Sequence, residues 1–290
     1  MKDKLISKII FISSMAIFGT LAVFVRNIQL PSAEIALYRA LFAIILIGLF
    51  MLVKKQKIPF SSIKKELPLL LLSGIAMGIN WIFLFEAYNY TSVSTATLSY
   101  YFAPILVTTV STILFKEKLN IKQIVCFIMS TLGIVLITGV GKLSGSSDYI
   151  GILFGLSAAT LYATVVLINK FIKSVSGINR TFLQFISAFI VLVPYVLLSG
   201  GIHLGTLNTK GLVCLLIIGI IHTAITYCMY FSSLKDLSGQ TVAILSYIDP
   251  LVAVAISVLF LKESMTILQL LGGILILGFT MVNELPQNKK

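Results

Sequence analysis

An all-α integral membrane fold, with ten transmembrane helices arranged as two inverted five-helix repeats, is what the sequence predicts. Three observations predict it: composition, the length of the apolar runs, and a pattern that returns after 146 residues. Of 290 residues, 58% are hydrophobic and 11% charged, with a mean hydropathy of +1.04. Soluble domains carry about 25% charged residues. A water-soluble fold of this size has too little interior to hide so much apolar surface, so the solvent is lipid. The net charge of +12 gathers in no basic patch interleaved with aromatics. The charges lie between apolar runs, where they act as topology signals and give no nucleic-acid footprint. Cys126, Cys214 and Cys228 all lie inside apolar runs with no C-x-x-C pair, so neither a disulfide nor a zinc site is expected.

A bilayer core about 30 Å thick takes roughly 20 apolar residues per helix. Runs of that kind cover 5–25, 32–53, 67–90, 92–115, 121–139, 149–172, 177–199, 209–231, 238–261 and 265–284. The first follows Lys2 and Lys4 and carries Lys8 in its first turn, a basic start shared with secretory leaders. No small-residue cleavage site with a polar continuation comes after it, and the repeat needs it as a helix. The second begins with Glu34 and Arg39 and ends at the basic linker KKQKIPFSSIKKE (54–66). The third holds GIAMG (74–78), a small-x-x-x-small pattern that allows close helix approach, then Asn80, Trp81 and Glu86. The fourth has Pro104 near its middle. After the fifth comes GVGKLSGSSDY (139–149). A phosphate loop there needs Gly at 136 and Ser or Thr at 143, and Leu136 and Leu143 occupy those positions. No ATP site is expected. The sixth run repeats the small-residue spacing in GILFG (151–155), and the seventh contains Gln184, the counterpart of Arg39. The eighth holds His222, Thr226 and Tyr227, and the ninth has Asp249 and Pro250 at its middle. The tenth precedes a short tail.

With the N-terminus inside, seventeen Lys and Arg fall on the cytoplasmic side. Arg26, Lys142, Lys210 and Lys262 fall outside, and Arg39 lies within a span. That bias sets both termini in the cytoplasm; the chain is expected in the plasma (inner) membrane as a multi-pass protein. Residues 1–140 form the first five-helix repeat, 149–284 the second, and 285–290 a cytoplasmic tail.

The repeat itself rests on named pairs. Pro250 follows Pro104 by 146 residues, and the same offset matches Phe85 with Phe231, Ser92 with Ser238, Thr95 with Thr241 and Tyr101 with Tyr247. It also matches Lys116-Glu117 with Lys262-Glu263 and Gln123 with Gln269. MAIFGT (15–20) resembles ATLYAT (159–164) at an offset of 144. Five is odd, so the second repeat enters the membrane from the opposite side, an architecture found in many secondary transporters. A proline inside a helix removes a backbone hydrogen bond and costs roughly 3 kcal/mol in water. Membrane helices tolerate one where neighbours satisfy the freed groups. Two at equivalent positions, each three residues after a matched Tyr, predict bent helices that line a cavity and free the carbonyls around Tyr100 and Ser246.

These residues resemble a family. AYNYTSVSTATLSYYFAPILVTTVSTILFKEKL (87–119) is similar to the third-to-fourth helix hallmark of the drug/metabolite transporter superfamily, in its ten-helix EamA-like group. SLKDLSGQTVAILSYIDPLVAVAISVLFLKE (233–263) is similar to the same hallmark in that group's second half, and FGTLAVFVR (18–26) and YRALFA (38–43) resemble its first two helices. The resemblance covers essentially the whole chain. It implies alternating-access carriage of small metabolites, commonly outward export of amino acids or toxic compounds. It implies no particular substrate, because the hallmark residues shape the scaffold. The short four-helix multidrug exporters of that superfamily use a carboxylate in their first helix, and LISKIIFISSMAIFGTLAVFV has none.

Ionisable residues in the lipid zone cost about 2.5 to 3.5 kcal/mol on insertion scales, so they face protein or water. Asp249 precedes Pro250 while its counterpart is Ala103, so the fold itself does not require it. It is a coupling carboxylate or a hydrogen-bonding group that holds the kink. Glu86, whose counterpart is Ser232, is a gate candidate or an interfacial carboxylate. Thr226 follows His222 by one turn and matches Asn80, which suggests a polar stripe facing the cavity. Arg39 is a further gating candidate, and snorkelling to the outer interface is its simplest account. Tyr100, Tyr101, Tyr247, Trp81 and Tyr227 lie too deep to be interface anchors; they are faces for a planar or aliphatic substrate, or packing. The expected cavity is therefore Asn80, Trp81, Tyr100, Tyr101, His222, Thr226, Tyr227 and Tyr247, with Glu86, Asp249, Pro104, Pro250 and Arg39 for coupling or gating.

No cofactor, catalytic residue or metal is expected. The expected partners are the bilayer, a small-molecule substrate and a coupling proton or ion; monomer and homodimer both stay open. With His203 and His222 as the only histidines, an intramembrane enzyme is a distant alternative. A secondary exporter leads, and an uptake carrier or exchanger on the same fold is the runner-up.

Overall fold

The computed structural model describes residues 2–56, 58, 63–114, 121–138, 146–175, 177–234, 237 and 239–285. Among these residues every regular element is helical. Each predicted span coincides with helix, so ten spans are numbered here in chain order. Span 1 is two helices, Lys2–Gly19 and Leu21–Val25, and spans 2 and 3 are Ser32–Val53 and Leu67–Tyr90. Span 4 is Val93–Tyr100 followed by Ala103–Leu114, and spans 5, 6 and 7 are Ile121–Thr138, Ser146–Asn169 and Gly177–Leu198. Span 8 is Thr209–Ile217, a π-helical stretch Ile218–Ile225, and Thr226–Leu234. Span 9 is Gly239–Ser246 and Ile248–Leu259, and span 10 is Ile267–Glu284. Seven of these spans are long and apolar enough to cross a bilayer, and Ile121–Ile137, Ile248–Leu259 and Ile267–Asn283 are shorter apolar helices.

Local chemistry sets several boundaries. Ser92 caps span 4 by accepting from the Thr95 N–H at 3.1 Å, and Asn208 caps span 8 by accepting from Gly211 N–H at 2.7 Å. Span 10 opens with a full capping box between Thr266 and Gln269, which pairs two N–H groups that helix geometry leaves unsatisfied. The helices break beside the repeated prolines. Span 4 is interrupted at Tyr101 and Phe102, and span 9 at Tyr247; each interruption lies just before its proline. Pro194, whose equivalent in the first repeat is not a proline, sits inside the unbroken helix Gly177–Leu198.

Packing follows the repeat. Span 3 lies on span 6 as span 1 lies on span 8, and span 4 lies on span 6 as span 1 lies on span 9. Spans 2 and 7 pack together, as do spans 5 and 10. Each of those pairs joins a helix to its own counterpart, as an inverted repeat requires. The predicted close approaches occur: Gly74 of GIAMG lies against Ser187, and Gly151 of GILFG against Thr91. Outward-facing Leu49, Ile113, Leu153, Leu198 and Ile267 are exposed and make a lipid-facing surface. The predicted Lys116-Glu117 pair falls outside the described residues.

Candidate functional site

Where the broken spans meet, the bundle encloses a cavity of about 530 Å³. Span 1 reaches it through Gly19, at which a Cβ would stand 2.5 Å from the Asp249 carbonyl oxygen. Only a glycine lets span 1 lie against the break in span 9.

The break residues face each other across the two repeats. The Tyr101 and Tyr247 rings lie 6.5 Å apart, and the Tyr101 hydroxyl donates to Asp249 Oδ2 at 2.7 Å. Tyr100 stands 5.7 Å from the Tyr162 ring. A second aromatic group runs from Trp81 to Phe185 (5.4 Å), from Phe185 to Tyr227 (5.3 Å) and from Tyr227 to Phe18 (5.3 Å). Asn80 donates its amide to the Ala158 carbonyl at 2.6 Å, tying span 3 to span 6.

Arg39 departs from the snorkelling account. It is 4% exposed and turned into the protein, with its guanidinium carbon 4.4 Å above the Trp81 ring centre and Nε donating to the Thr223 hydroxyl at 3.1 Å. The aromatic face attracts the cation, so the interior supplies a favourable site that a snorkelling side chain would find only at the interface. Arg39 and Asp249 both line the cavity, a cation from the first repeat and an anion from the second.

Nine of the residues singled out in the sequence share this wall: Arg39, Asn80, Trp81, Tyr100, Tyr101, Pro104, Tyr227, Tyr247 and Asp249. Four lie elsewhere. His222 is 2% exposed, with Nε2 2.8 Å from the Thr20 hydroxyl and its ring 4.9 Å from Phe24. Thr226 donates to the Ile221 carbonyl at 2.7 Å, as Thr223 does to Ile218 at 2.9 Å; both bonds reach back five residues, because the wide π turns present those carbonyls. Glu86 sits beside Asn89, whose Nδ2 is 3.5 Å from its Oε2, and buried Pro250 packs behind the break. The expected stripe therefore keeps Asn80 and loses its span 8 members.

Tyr162 and Gln184 line the wall as well, neither of them expected there, and the repeat is the signal that could have found them. Tyr162 is the counterpart of Phe18, which also lines the cavity, and Gln184 is the counterpart of Arg39. Gln184 donates to Ser73 and to Asn169, each at 2.8 Å. Among the described residues no group of three or more His, Cys, Asp or Glu side chains is placed to share a metal ion.

The cavity is not centred. It reaches Asn169, Gly177 and Arg180 at the face where the chain begins. Toward the opposite face, Val25, Ile28 and Leu30 are buried in close packing.

Comparison with known proteins gives a consistent result. The EamA-like transporter family matches residues 5–139 and again 149–283. The uncharacterized transporter YxxF of Bacillus subtilis (strain 168) is 32% identical over 280 residues, covering 95% of this chain and 88% of its own. Protein PecM of Dickeya dadantii is 26% identical over 264 residues, covering 90% and 86%. A protein of known crystal structure superimposes with a TM-score of 0.64 at 15% identity, covering 95% of this chain and 96% of its own; that likeness concerns the fold alone.

Proposed function

The chain belongs to the EamA-like transporter family of the drug/metabolite transporter superfamily, and from that premise we propose that it is a secondary carrier working by alternating access. It is a multi-pass membrane transporter; what we add is its mechanism, cargo and direction. The cargo is a small metabolite such as an amino acid or a related compound, exported across the plasma membrane, with both termini in the cytoplasm.

The observation that supports this most is the cavity of about 530 Å³ between equivalent helix breaks of two inverted repeats. Transporters of inverted design hold substrate at such a midplane junction of discontinuous helices. In this reading Arg39 receives a carboxylate, the tyrosines and Trp81 cover an apolar body, and Asp249 couples cargo to a proton or ion. Its link to Tyr101, across the repeats, makes the two broken spans answer to the state of one carboxylate.

The test is Asp249→Asn in proteoliposomes with a panel of amino acids under an imposed ion gradient. Gradient-driven flux falls to background while the purified protein stays monodisperse. Flux at the unmodified rate would falsify the coupling role. Right-side-out and inside-out vesicles separate export from the uptake alternative.

A further inference from the structure

One polar cluster outside the cavity ties together helix ends from both repeats. Arg26 Nε and Nη2 donate to the Tyr88 carbonyl at 3.1 and 2.9 Å, and Nη2 donates to the Thr91 carbonyl at 2.6 Å. Its Nη1 pairs with Glu263. The other Glu263 oxygen accepts the Val93 N–H at 2.9 Å and the Ser257 hydroxyl, and Ser257 in turn accepts the Ser94 N–H at 3.3 Å. One cation thus covers the carbonyl end of span 3 and one anion the amide end of span 4, each on the helix terminus whose partial charge it complements. Lys262, in a left-handed turn at φ 55°, brings Glu263 back toward Ser257. The cluster joins spans 1, 3, 4 and 9 at the outer end, beyond the last cavity residues on that side, Leu21 and Tyr88.

The opposite end holds a matching contact. Lys170 Nζ donates to Ser111 Oγ at 2.8 Å. Lys170 follows Arg26 by 144 residues, the offset of the first-helix match, and Ser257 follows Ser111 by 146, the offset of the proline match. The cavity has diverged between repeats, with Arg39 against Gln184 and Asp249 against Ala103. The counterparts of Arg26 and Ser257 meet directly at the inner end, whereas Glu263 bridges the pair at the outer end; the inner contact is present while the cavity reaches that face, so it does not close it.

We infer that Arg26, Glu263 and Ser257 form a latch that holds the outer end of the carrier closed in this conformer. Outward opening requires the Arg26–Glu263 pair to part. This inference rests on the alternating-access reading.

The experiment replaces Cys126, Cys214 and Cys228, introduces Met77→Cys in the cavity, and measures labelling by a membrane-impermeant maleimide in right-side-out and inside-out vesicles. Glu263→Gln keeps an acceptor for Val93 while removing the charge, and it raises outer-face labelling roughly tenfold, within the range of coupling between sites. Arg26→Gln does the same, and Arg26→Lys stays near the starting value. Glu263→Gln protein that is monodisperse and labels as before overturns the latch. A cavity cysteine labelled equally from both faces in every variant, or from neither, overturns the carrier reading and the latch with it. A cavity that changes sides with substrate while the latch variants leave the ratio unmoved overturns the latch alone.

Discussion

At the residue scale, position in the sequence located charged groups in depth but not in direction. Arg39 shows this: its place seven residues after Ser32, near a helix start, suited an interfacial cation, yet the Trp81 ring and the Thr223 hydroxyl hold it inside. Neither partner is near it in sequence, so no local pattern could announce them. Glu66 makes a comparable long-range contact outside the membrane-spanning segments. Its carboxylate accepts the Ser174 hydroxyl and the N–H groups of Lys173 and Ser174, at 3.0 and 2.9 Å for the two amides. These bonds, the hydroxyl's first, hold its pKa below the ordinary carboxylate range. A lowered folded-state value adds stability that is present above the unfolded value of about 4.3 and is lost as pH falls through the folded one. Thermal unfolding in detergent is therefore expected at a lower midpoint below about pH 4, and Glu66→Gln flattens that dependence. An unchanged profile in the variant would show that the link contributes nothing.

At the element scale, apolar run length and the repeated prolines made the spans and two of the breaks readable. Other irregularities left no trace. The break of span 1 at Thr20 and the π-helical stretch Ile218–Ile225 involve no proline, and both lie in runs apolar on all sides. Such runs reveal length but not rotational phase. Each residue turns an α-helix by roughly 100°, so the extra residue of a π turn re-aims every side chain beyond it. Tyr227 faces the cavity while His222 and Thr226, read from the same run, do not. The contact of span 5 with span 10 allows a direct test. A Cβ on Gly133 would lie 2.7 Å from the Gly272 carbonyl oxygen, and one on Gly272 2.6 Å from that of Gly133. Gly133→Val should cost about 1 to 3 kcal/mol through overpacking, read as a lower unfolding midpoint. An unaltered midpoint would mean that the two helices separate without loss.

At the scale of the whole molecule, the odd number of helices per repeat has a visible outcome: five spans bring the chain to the face opposite its start, and five more bring it back. With the termini cytoplasmic, as proposed, a fluorescent protein that folds only in the cytoplasm should shine when fused after Lys290 and stay dark when fused after Thr138. Signal from both fusions would contradict the inversion. The same architecture explains why much of the cavity was legible. Tyr101 and Tyr247, read as a matched pair, reach one wall because the repeat relation carries each onto the other. The off-centre shape of the cavity is different, since it belongs to one conformer and no residue pattern encodes it. The interruptions at Tyr101 and Tyr247 have a last effect. Each leaves the carbonyl terminus of one half-helix beside the amide terminus of the next, and such termini act as fractional charges of opposite sign. Polar backbone ends therefore lie at both breaks, placed there by the path of the chain and independent of which aromatic rings surround them.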